Sequence, residues 1–491
     1  MAHYFGATGL TDAFLVAYRI PNILRDLFAE GAFSSAFVPV FTEESEKDPK
    51  AARTLLWNLF LLLGGVTLVF CGLIMIFSPQ LIAAIAPRFA DNPVQLELTI
   101  GLTRFMAPFL VFISIAALFM GALNSVGVFF IPSLAPAFFN VVMICSIIFL
   151  PPVMRSMGHN PSYALGFGVF CGGVIQLLIQ IPLLYKKGYA PKIKRPLLGH
   201  AEKKVFKKLG PGLVGFAATQ VNVLINTMLA TGAGVGAVSW LAYAFRLFQF
   251  PVGILGVSIA NSNLVHFGRF WKKGEEDNAK DVLVEGFYYS LLTISLATML
   301  LCALSHQSAH LIFQRGLFNI TDSIQTGKAL FYYALGLPFY GLYKIITPTF
   351  YVLDKQQIPV RCSILGVIFN VVFCVALTPH YGFVILAIGT SLAITLNACI
   401  QLVLLKKELN LPLASLLSLR NAKVIASAFL SFPVAFYLSK YLYIFEDSLL
   451  ERALGFVVCA GAATGCYMAL LFLFGEGRGI TQWIKNKINK N

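Results

Sequence analysis

The stretch LLWNLFLLLGGVTLVFCGLIMIF, residues 55–77, decides the fold class of this chain. Its 23 residues carry no charged side chain, and a helix of about 20 apolar residues is long enough to cross the hydrocarbon core of a bilayer. Apolar and polar residues do not alternate in it, which argues against the strands of an outer-membrane barrel. Residues 288–304 have the same character. The sequence therefore predicts an all-α polytopic membrane protein.

The composition of the whole chain agrees with this prediction. Of 491 residues, 58% are hydrophobic and 12% are charged, against about 25% charged residues in a typical soluble domain. Candidate membrane spans extend outward in both directions from residues 55–77. We predict thirteen of them, at residues 9–40, 54–78, 100–123, 130–152, 162–185, 209–231, 236–262, 282–304, 329–353, 360–378, 382–405, 422–444 and 453–474. The first contains Pro21, Glu30 and Gly31, which predict a kink or break inside it.

Lysine and arginine concentrate in the short cytoplasmic loops of membrane proteins, so their distribution predicts orientation. With residues 42–53 placed inside, 26 basic loop residues fall on the cytoplasmic side and 6 on the outer side. This distribution predicts a multi-pass inner-membrane protein with a cytoplasmic C-terminus. It also accounts for the formal net charge of +15 through anionic headgroups rather than nucleic acid, which we do not expect as a partner. Met1 would lie outside, just before the first span, so we expect a further helix to precede this chain.

An internal repeat relates two parts of the chain. Pro108-Phe109 matches Pro338-Phe339, and residues 139–142 (FNVV) match residues 369–372, both with an offset of 230 residues. Because corresponding loops face the same side, the repeats are parallel, and a central cavity is expected between such lobes. We predict three regions, which are an N-terminal lobe with a truncated first helix at 1–209, a C-terminal lobe at 210–420, and an additional helix pair with a cytoplasmic tail at 421–491.

Charged residues at membrane depth are the candidate functional residues. Each costs about 2.5 to 3.5 kcal/mol on insertion scales, so it normally faces a cavity or a partner. Basic residues outnumber acidic ones there, which predicts a net-positive interior. The set consists of Arg19, Arg25, Arg104, Arg246 and Lys344, together with the acids Asp12, Asp26 and Glu30.

A polar stripe lies on the first predicted span. At 100° per residue, its members fall within about 80° of one another, whereas Arg25 lies further around the helix; they are Asp12, Arg19, Asn22, Asp26 and Glu30. We predict that this stripe faces the cavity. The alternative is structural and stays open: Arg19 could pair with Asp12 or Asp26, and Arg25 could lie at a helix end. For Arg104 and Lys344 the structural interpretation is the favoured one.

Other patterns indicate packing rather than chemistry. The nine cysteines lie in or beside apolar segments without Cys-x-x-Cys spacing, which is typical of small buried hydrophobic residues. His306 and His310 have no third metal ligand beside them. The glycines between 166 and 173 predict close helix contact. No nucleotide-binding or nucleophile motif occurs in the sequence, so we expect neither an enzyme nor a cofactor or metal.

Residues 18–41, YRIPNILRDLFAEGAFSSAFVPVF, preceded by GATGLTDAF at 6–14, closely resemble the signature of the bacterial lipid II flippases, the MurJ (MviN) family. Residues 239–247 (SWLAYAFRL) and 250–256 (FPVGILG) resemble the start of that family's second lobe. The resemblance covers essentially the whole chain. It implies two six-helix bundles and two further helices, the fold shared with multidrug and oligosaccharide-lipid exporters.

The resemblance also implies a function. The family moves lipid II, the undecaprenyl-diphosphate-linked disaccharide pentapeptide, from the inner to the outer leaflet for peptidoglycan synthesis, and alternating access is the mechanism we expect. It implies that the helix pair at 422–474 forms a lipid-facing groove for the polyprenyl tail. Matched by motif, the substrate-binding cavity positions are Asp12, Asn22, Arg25, Glu30 and Arg246, to which the stripe adds Arg19. Arginine suits a diphosphate because it stays charged and binds phosphate through a planar fork.

Three other functions remain to be weighed against flipping. A cation-coupled multidrug exporter, or an exporter of another polyprenyl-linked oligosaccharide, would share the fold, but a net-positive interior does not suit cationic drugs. A polyprenyl-phosphate glycosyltransferase would need an acidic loop motif, which is not found among 22 acids. A non-transporting scaffold would leave the buried charges unexplained. We expect a monomer in contact with membrane lipids; a coupling ion is left open.

Overall fold

The computed structural model of the chain describes residues 1–29, 32–412, 418–444 and 448–476. Helices make up most of these residues, and no strand occurs among them. The prediction of an all-helical membrane protein is thus confirmed. Two compact units can be distinguished, the first extending to Val238 and the second beginning at Ser239. The lobe boundaries at residues 209 and 420 stay predictions.

The helices of the first unit begin where the sequence supplies caps. Asp48 accepts a hydrogen bond from the N–H of Lys50 at 2.8 Å, Asn92 accepts one from Gln95 at 3.2 Å, and each is followed by a proline, the residue preferred at the first helical position. The described helices of this unit are α1 (Ala2–Phe5), α2 (Gly9–Ala29), α3 (Ala32–Lys47), α4 (Pro49–Ile76), α5 (Ser78–Ile85), α6 (Pro93–Met106), α7 (Phe109–Ser125), α8 (Phe130–Ser156), α9 (Tyr163–Leu178), α10 (Ile181–Lys186) and α11 (His200–Gly232), with a 3₁₀ turn at Pro87–Asp91.

In the second unit, a π-helical segment at Val252–Gly256 directly follows Pro251 and separates two α-helices. Capping boxes at Asn319 with Asp322 and at Ser448 with Glu451 define the starts of two further helices. The described helices are α12 (Ala237–Pro251), α13 (Val257–Lys272), α14 (Glu276–Ala303), α15 (Ser305–Phe313), α16 (Ile320–Leu335), α17 (Leu337–Val352), α18 (Gln357–Tyr381), α19 (Val384–Leu409), α20 (Leu419–Leu442) and α21 (Leu449–Leu473).

The order of helices reproduces the internal repeat found in the sequence. Pro108 lies at the break between α6 and α7, and Pro338 lies at the start of α17, directly after the break from α16. In both units a long helix is followed by a short one, α4 by α5 and α14 by α15. The FNVV motif lies within α8 in one unit and α18 in the other. A proline removes a backbone donor, which explains why the helix is interrupted at the same place in each unit.

The described helices agree with the predicted membrane spans. Ten of them are long and apolar enough to cross a bilayer, or eleven if α16 and α17, which meet at 46°, form one bent span. The two remaining predicted spans are helical as well, as α2 with α3 and as α11. Pro21 lies inside α2, and residues 30 and 31 lie outside the described residues. The charged side chains on α2 make this segment more polar than the other spans.

Two packing predictions can be checked directly. A Cβ added to Gly173 would lie 2.5 Å from the Phe109 ring, and one added to Gly172 would lie 2.6 Å from the Phe139 ring. These glycines therefore allow close packing of α9, as predicted. Five of the nine cysteines are buried, whereas Cys145 and Cys399 are exposed on apolar helices. The prediction of buried cysteines was wrong for these two, because a lipid-facing surface accepts the same small apolar side chain.

Candidate functional site

Asp12 lies near the start of α2 and is buried. Its carboxylate accepts a hydrogen bond from the backbone N–H of Gly236 at 2.6 Å. Gly236 has a φ of +90°, a conformation that side chains disfavour. The neighbouring Thr11 donates its hydroxyl to the carbonyl oxygens of Phe5 and Gly6. This end of α2 is therefore tied by hydrogen bonds to the turn that follows α11.

A cavity of about 240 Å³ adjoins Asp12 within the first unit. It lies against the 3₁₀ turn at Pro87–Asp91, the start of α6 and the end of α11. Both signs of charge reach it, since Arg88 and Asp91 line it together with Asp12. The cavity can accommodate a small polar group, and its mixed charges do not by themselves select an anion or a cation.

Arg25 lies further along α2, thirteen residues after Asp12, which corresponds to about 20 Å along a helix. Its Nη2 lies 3.0 Å from Oδ1 of Asp26, and both side chains are about one-third exposed. Asn22 also donates to Asp26, at 3.4 Å. Arg19 is half-buried on the same helix. The stripe therefore has a buried end at Asp12 and a partly buried part at Asn22 and Asp26, and Asp26 is bonded to Arg25 beside the stripe.

Glu30, the last residue of the predicted stripe, lies outside the described residues. The functional roles of Asp12, Arg19, Asn22, Arg25 and Glu30 stay predictions.

Arg246 lies on α12, five residues before Pro251 and the π-helical segment. Its side chain is exposed. Among the described residues, no carboxylate lies within 4.0 Å of its guanidinium, the limit for an ion pair. An exposed guanidinium on an apolar helix has five N–H donors available to an anion. The structure thus leaves Arg246 able to bind a phosphate without breaking a salt bridge.

The remaining cations at membrane depth have structural contacts. The Nε of Arg104 donates to the carbonyl oxygen of Met75 at 3.1 Å and to the hydroxyl of Ser78 at 2.8 Å. Those contacts cap the end of α4 and the start of α5. The Nζ of Lys344 lies 5.4 Å from the centre of the Tyr340 ring, a cation–π distance. Both observations agree with the structural interpretation favoured from the sequence.

Sequence reasoning missed a chain of polar side chains inside the second unit. Thr347 donates to Gln401 at 2.9 Å, and Gln401 donates to Asn397 at 2.7 Å. Asn397 in turn donates to Ser363 at 3.3 Å. The only sequence signal was a pair of amide residues, Asn397 and Gln401, four positions apart in one otherwise uncharged span. These side chains supply hydrogen-bond partners to one another, which buried polar groups require.

His306 and His310 are the two histidines considered as metal ligands in the sequence analysis. Within the described residues, no group of three His, Cys, Asp or Glu side chains is arranged to hold an ion. His310 is buried, and its Nδ1 lies 2.8 Å from the hydroxyl of Tyr443. Nη1 of Arg452 lies 3.4 Å from the Nε2 of the same ring. His310 thus links α15 to the C-terminal helix pair.

Similarity to known proteins covers nearly the whole chain. The family described as "Lipid II flippase MurJ" matches residues 1–453. A relative from Rickettsia prowazekii, named "Probable lipid II flippase MurJ", is 30% identical over 471 residues, covering 94% of this chain and 91% of the relative. One from Burkholderia cenocepacia, named "Lipid II flippase MurJ", is 32% identical over 412 residues, covering 82% of this chain and 78% of the relative.

Solved structures of transporters share the fold of this chain. The "Lipid II flippase MurJ, inward closed conformation" aligns with a TM-score of 0.76 at 22% identity, covering 96% of this chain and 95% of the other. An inward-facing multidrug resistance MATE family transporter aligns with a TM-score of 0.69 at 14% identity, covering 83% and 92%. These likenesses show the fold, and the sequence matches show the family: the chain belongs to the lipid II flippase MurJ family.

Proposed function

We propose that this chain moves lipid II from the cytoplasmic to the outer leaflet of the inner membrane by alternating access. Its relatives carry the name lipid II flippase at 30% identity and above over most of the chain. The ligand would be a lipid whose diphosphate must leave water, and this step needs donors that keep their charge in a poorly polarisable environment. No covalent chemistry is part of the proposal.

The observation that best supports the proposal is that Arg246 is exposed and has no carboxylate partner among the described residues. An exposed arginine on an apolar helix costs free energy unless it serves a ligand or a water-filled space, and no carboxylate among the described residues neutralises it. Within the first unit, Arg25 is a further candidate for binding an anion, and its Nη2 lies 3.0 Å from Oδ1 of Asp26. Asp26 would then orient the guanidinium while leaving part of its donor set for the substrate.

A second candidate is export of another substrate by the same fold, which the likeness to the MATE transporter favours. Cationic drugs need acidic ligands. Of the acids on α2, Asp12 already accepts the N–H of Gly236 and Asp26 is bonded to Arg25. The charges available to a ligand on the described helices are therefore mainly positive, which favours an anionic substrate.

The orientation and assembly of the protein are part of the same proposal. The charge distribution supports a cytoplasmic C-terminus, although residues 477–491 lie outside the described residues. We further propose a monomer that contacts membrane lipids and does not bind nucleic acid.

The test is reconstitution of the purified full chain into liposomes containing lipid II with a fluorophore on its peptide. A membrane-impermeant quencher reports how much of the label has reached the outer leaflet. We expect protein-dependent redistribution of labelled lipid II, and none of a labelled cationic drug. Redistribution of the drug but not of lipid II would favour the second candidate. In cells, depletion should cause lipid II to accumulate on the cytoplasmic side, followed by lysis; normal delivery in a depleted strain without another flippase would refute the proposal.

A further inference from the structure

The segment from Lys186 to Lys208, called here the basic loop, has a charge composition unlike that of the other loops. It contains nine Lys and Arg residues and a single acid, Glu202. The hairpin between α13 and α14, residues 272–281, lies on the same predicted side of the membrane but contains three lysines and four acids. A general preference for basic residues on the cytoplasmic side would not concentrate them in one loop.

The only acid of the basic loop is not available to neutralise it. Glu202 is buried, and its Oε1 accepts a hydrogen bond from Nδ2 of Asn58 at 2.9 Å. Oδ1 of the same Asn58 accepts the backbone N–H of Lys194 at 3.2 Å. Asn58 is itself buried within α4. The Glu202 carboxylate therefore attaches the basic loop to α4 and does not offset the positive charge of the loop.

Further contacts hold the basic loop against the hairpin of α3 and α4, and two of them involve Trp57 and Glu43. The indole Nε1 of Trp57 donates to the carbonyl oxygen of Tyr189 at 2.9 Å. Nζ of Lys204 lies 2.6 Å from Oε2 of Glu43, and this lysine together with Lys47 lowers the pKa of Glu43 to about 2. These attachments lie near both ends and the middle of the loop. The basic loop is thus held in one place although residues 189–194 form no helix.

The cations other than Lys204 point into solvent. Eight Lys and Arg residues of the basic loop remain, all are exposed, and none has a carboxylate within 4.0 Å among the described residues. Large apolar side chains are exposed beside them, with Ile193 at 53% and Leu198 at 45% exposure, and Phe206 at 40%. Exposed cations interleaved with apolar side chains are typical of segments that lie in the interface of an anionic membrane.

We propose that the basic loop is a docking surface for anionic phospholipid headgroups of the cytoplasmic leaflet. The attachments to α3 and α4 hold the loop in place before it meets lipid, so that little conformational entropy is lost on binding. The cations contact the headgroup phosphates, and Ile193 and Leu198 enter the acyl boundary. The loop then anchors the first unit to the membrane surface.

Amide hydrogen exchange of the full chain in nanodiscs tests the proposal. Exchange of residues 189–199 is compared in discs of phosphatidylcholine alone and in discs containing phosphatidylglycerol. We expect exchange to slow by about five-fold or more with phosphatidylglycerol, the factor that corresponds to the contribution of one interfacial cation. High salt should reverse the effect because it screens exposed charges. Residues 273–278 of the other hairpin are the internal control and should not respond.

Two matched variants separate charge from folding. Changing Lys186, Lys187, Lys192 and Lys194 to Gln should abolish the protection, whereas changing the same four residues to Arg should preserve it. Lys272→Gln with Lys273→Gln should leave the basic loop protected. Equal exchange of residues 189–199 in the two lipid compositions would overturn the proposal. It would also be overturned if phosphatidylglycerol slowed the exchange of residues 273–278 as much as that of residues 189–199. Full protection in the Gln variant would overturn it too. The wild-type comparison stands even if that variant does not fold.

Discussion

Arg246 can be removed without breaking an ion pair among the described residues. Arg246→Ala should therefore change the free energy of unfolding by less than about 0.5 kcal/mol, as most surface substitutions do. Flipping should be lost if the guanidinium binds the diphosphate. Arg246→Lys should keep part of the activity, since an ammonium attracts phosphate but lacks the bidentate fork. Thermal unfolding in detergent and the liposome assay measure the two effects.

The matched control for Arg246 is Arg104, another arginine at membrane depth. Arg104 donates to Met75 and Ser78, so Arg104→Ala should reduce stability by about 1 kcal/mol and leave flipping intact. A well-folded Arg246→Ala protein that flips lipid II at the wild-type rate would contradict the proposed role. Poor folding of that variant would instead indicate a structural contact.

The Asp12 carboxylate accepts a hydrogen bond whose contribution to stability can be measured. Asp12→Ala would leave the backbone N–H of Gly236 without its acceptor. A buried unsatisfied donor costs about 1 to 3 kcal/mol, and the free energy of unfolding should fall by that amount. Asp12→Asn retains an oxygen that can accept the same bond, so its loss should be smaller. Denaturant unfolding of both variants is the measurement, and equal stability of Asp12→Ala and the wild type would rule out the contact.

At the scale of helices, the packing of α9 depends on the lack of a side chain at Gly173. Gly173→Ala places a Cβ 2.5 Å from the ring of Phe109, which is fully buried. Overpacking of this kind costs about 1 to 3 kcal/mol, so the midpoint of thermal unfolding should fall. Gly65→Ala is the control, because nothing lies within 4 Å of the added Cβ. That variant should be neutral or slightly stabilising, since Ala favours helix more than Gly does. Equal midpoints for the two variants would contradict close packing at α9.

The C-terminal helix pair is attached to the second unit at several points. The hydroxyl of Tyr467 on α21 donates to the carbonyl oxygen of Leu292 on α14 at 2.8 Å. The guanidinium of Arg420 lies 3.4 Å above the Tyr288 ring and 3.1 Å from Glu476. His310 on α15 forms a further attachment through Tyr443. The pair is therefore part of the second unit.

The attachment at His310 should make stability dependent on pH. Burial, reinforced by the charge of Arg452, lowers the pKa of His310 to about 4, against about 6.5 in the unfolded chain. Between these values the unfolded state binds a proton that the folded state does not. Stability is then complete above pH 6.5 and falls as the pH drops towards 4, by about 2 kcal/mol at pH 5.

Unfolding measured at pH 7.5 and pH 5.0 tests this dependence. His310→Gln can still bond to Tyr443 but does not titrate, so its loss of stability between the two pH values should be smaller than that of the wild type. His266→Gln, at an exposed position of α13, is the control and should behave as the wild type does. An unchanged pH dependence in His310→Gln would show that another group is responsible.

At the scale of the whole molecule, the orientation prediction places residues 187–208 in the cytoplasm. Lys203 is a better reporter than Lys204, because Lys203 is exposed whereas Lys204 is bonded to Glu43. An impermeant thiol reagent added to intact spheroplasts should not label Lys203→Cys, but should label Arg315→Cys in the predicted outer loop. The unsubstituted chain controls for the native cysteines. Labelling of Lys203→Cys would show that the orientation is inverted.

Much of the fold could be predicted from the sequence because its signals are local. A run such as residues 55–77 is apolar along its whole length, and a helix is the structure that satisfies its backbone in lipid. The repeat was visible because Pro108 and Pro338 interrupt helices at equivalent places. The candidate cations were recognisable because a charge in an apolar segment is costly wherever the segment goes.

For Asp12, Arg104 and Glu202, tertiary structure alone decided the partners. Asp12 bonds to Gly236, which lies 224 residues away along the chain. Arg104 on α6 bonds to Ser78 at the start of α5. Glu202 turned out to attach a loop to Asn58 rather than to neutralise its lysines. A hydrogen bond requires atoms within about 3 Å and a favourable angle, and helical periodicity fixes such geometry only within a few turns of one helix. The sequence therefore determined which residues were costly to bury. The packing of distant segments decided which of them found partners and which, like Arg246, have no carboxylate within 4.0 Å among the described residues.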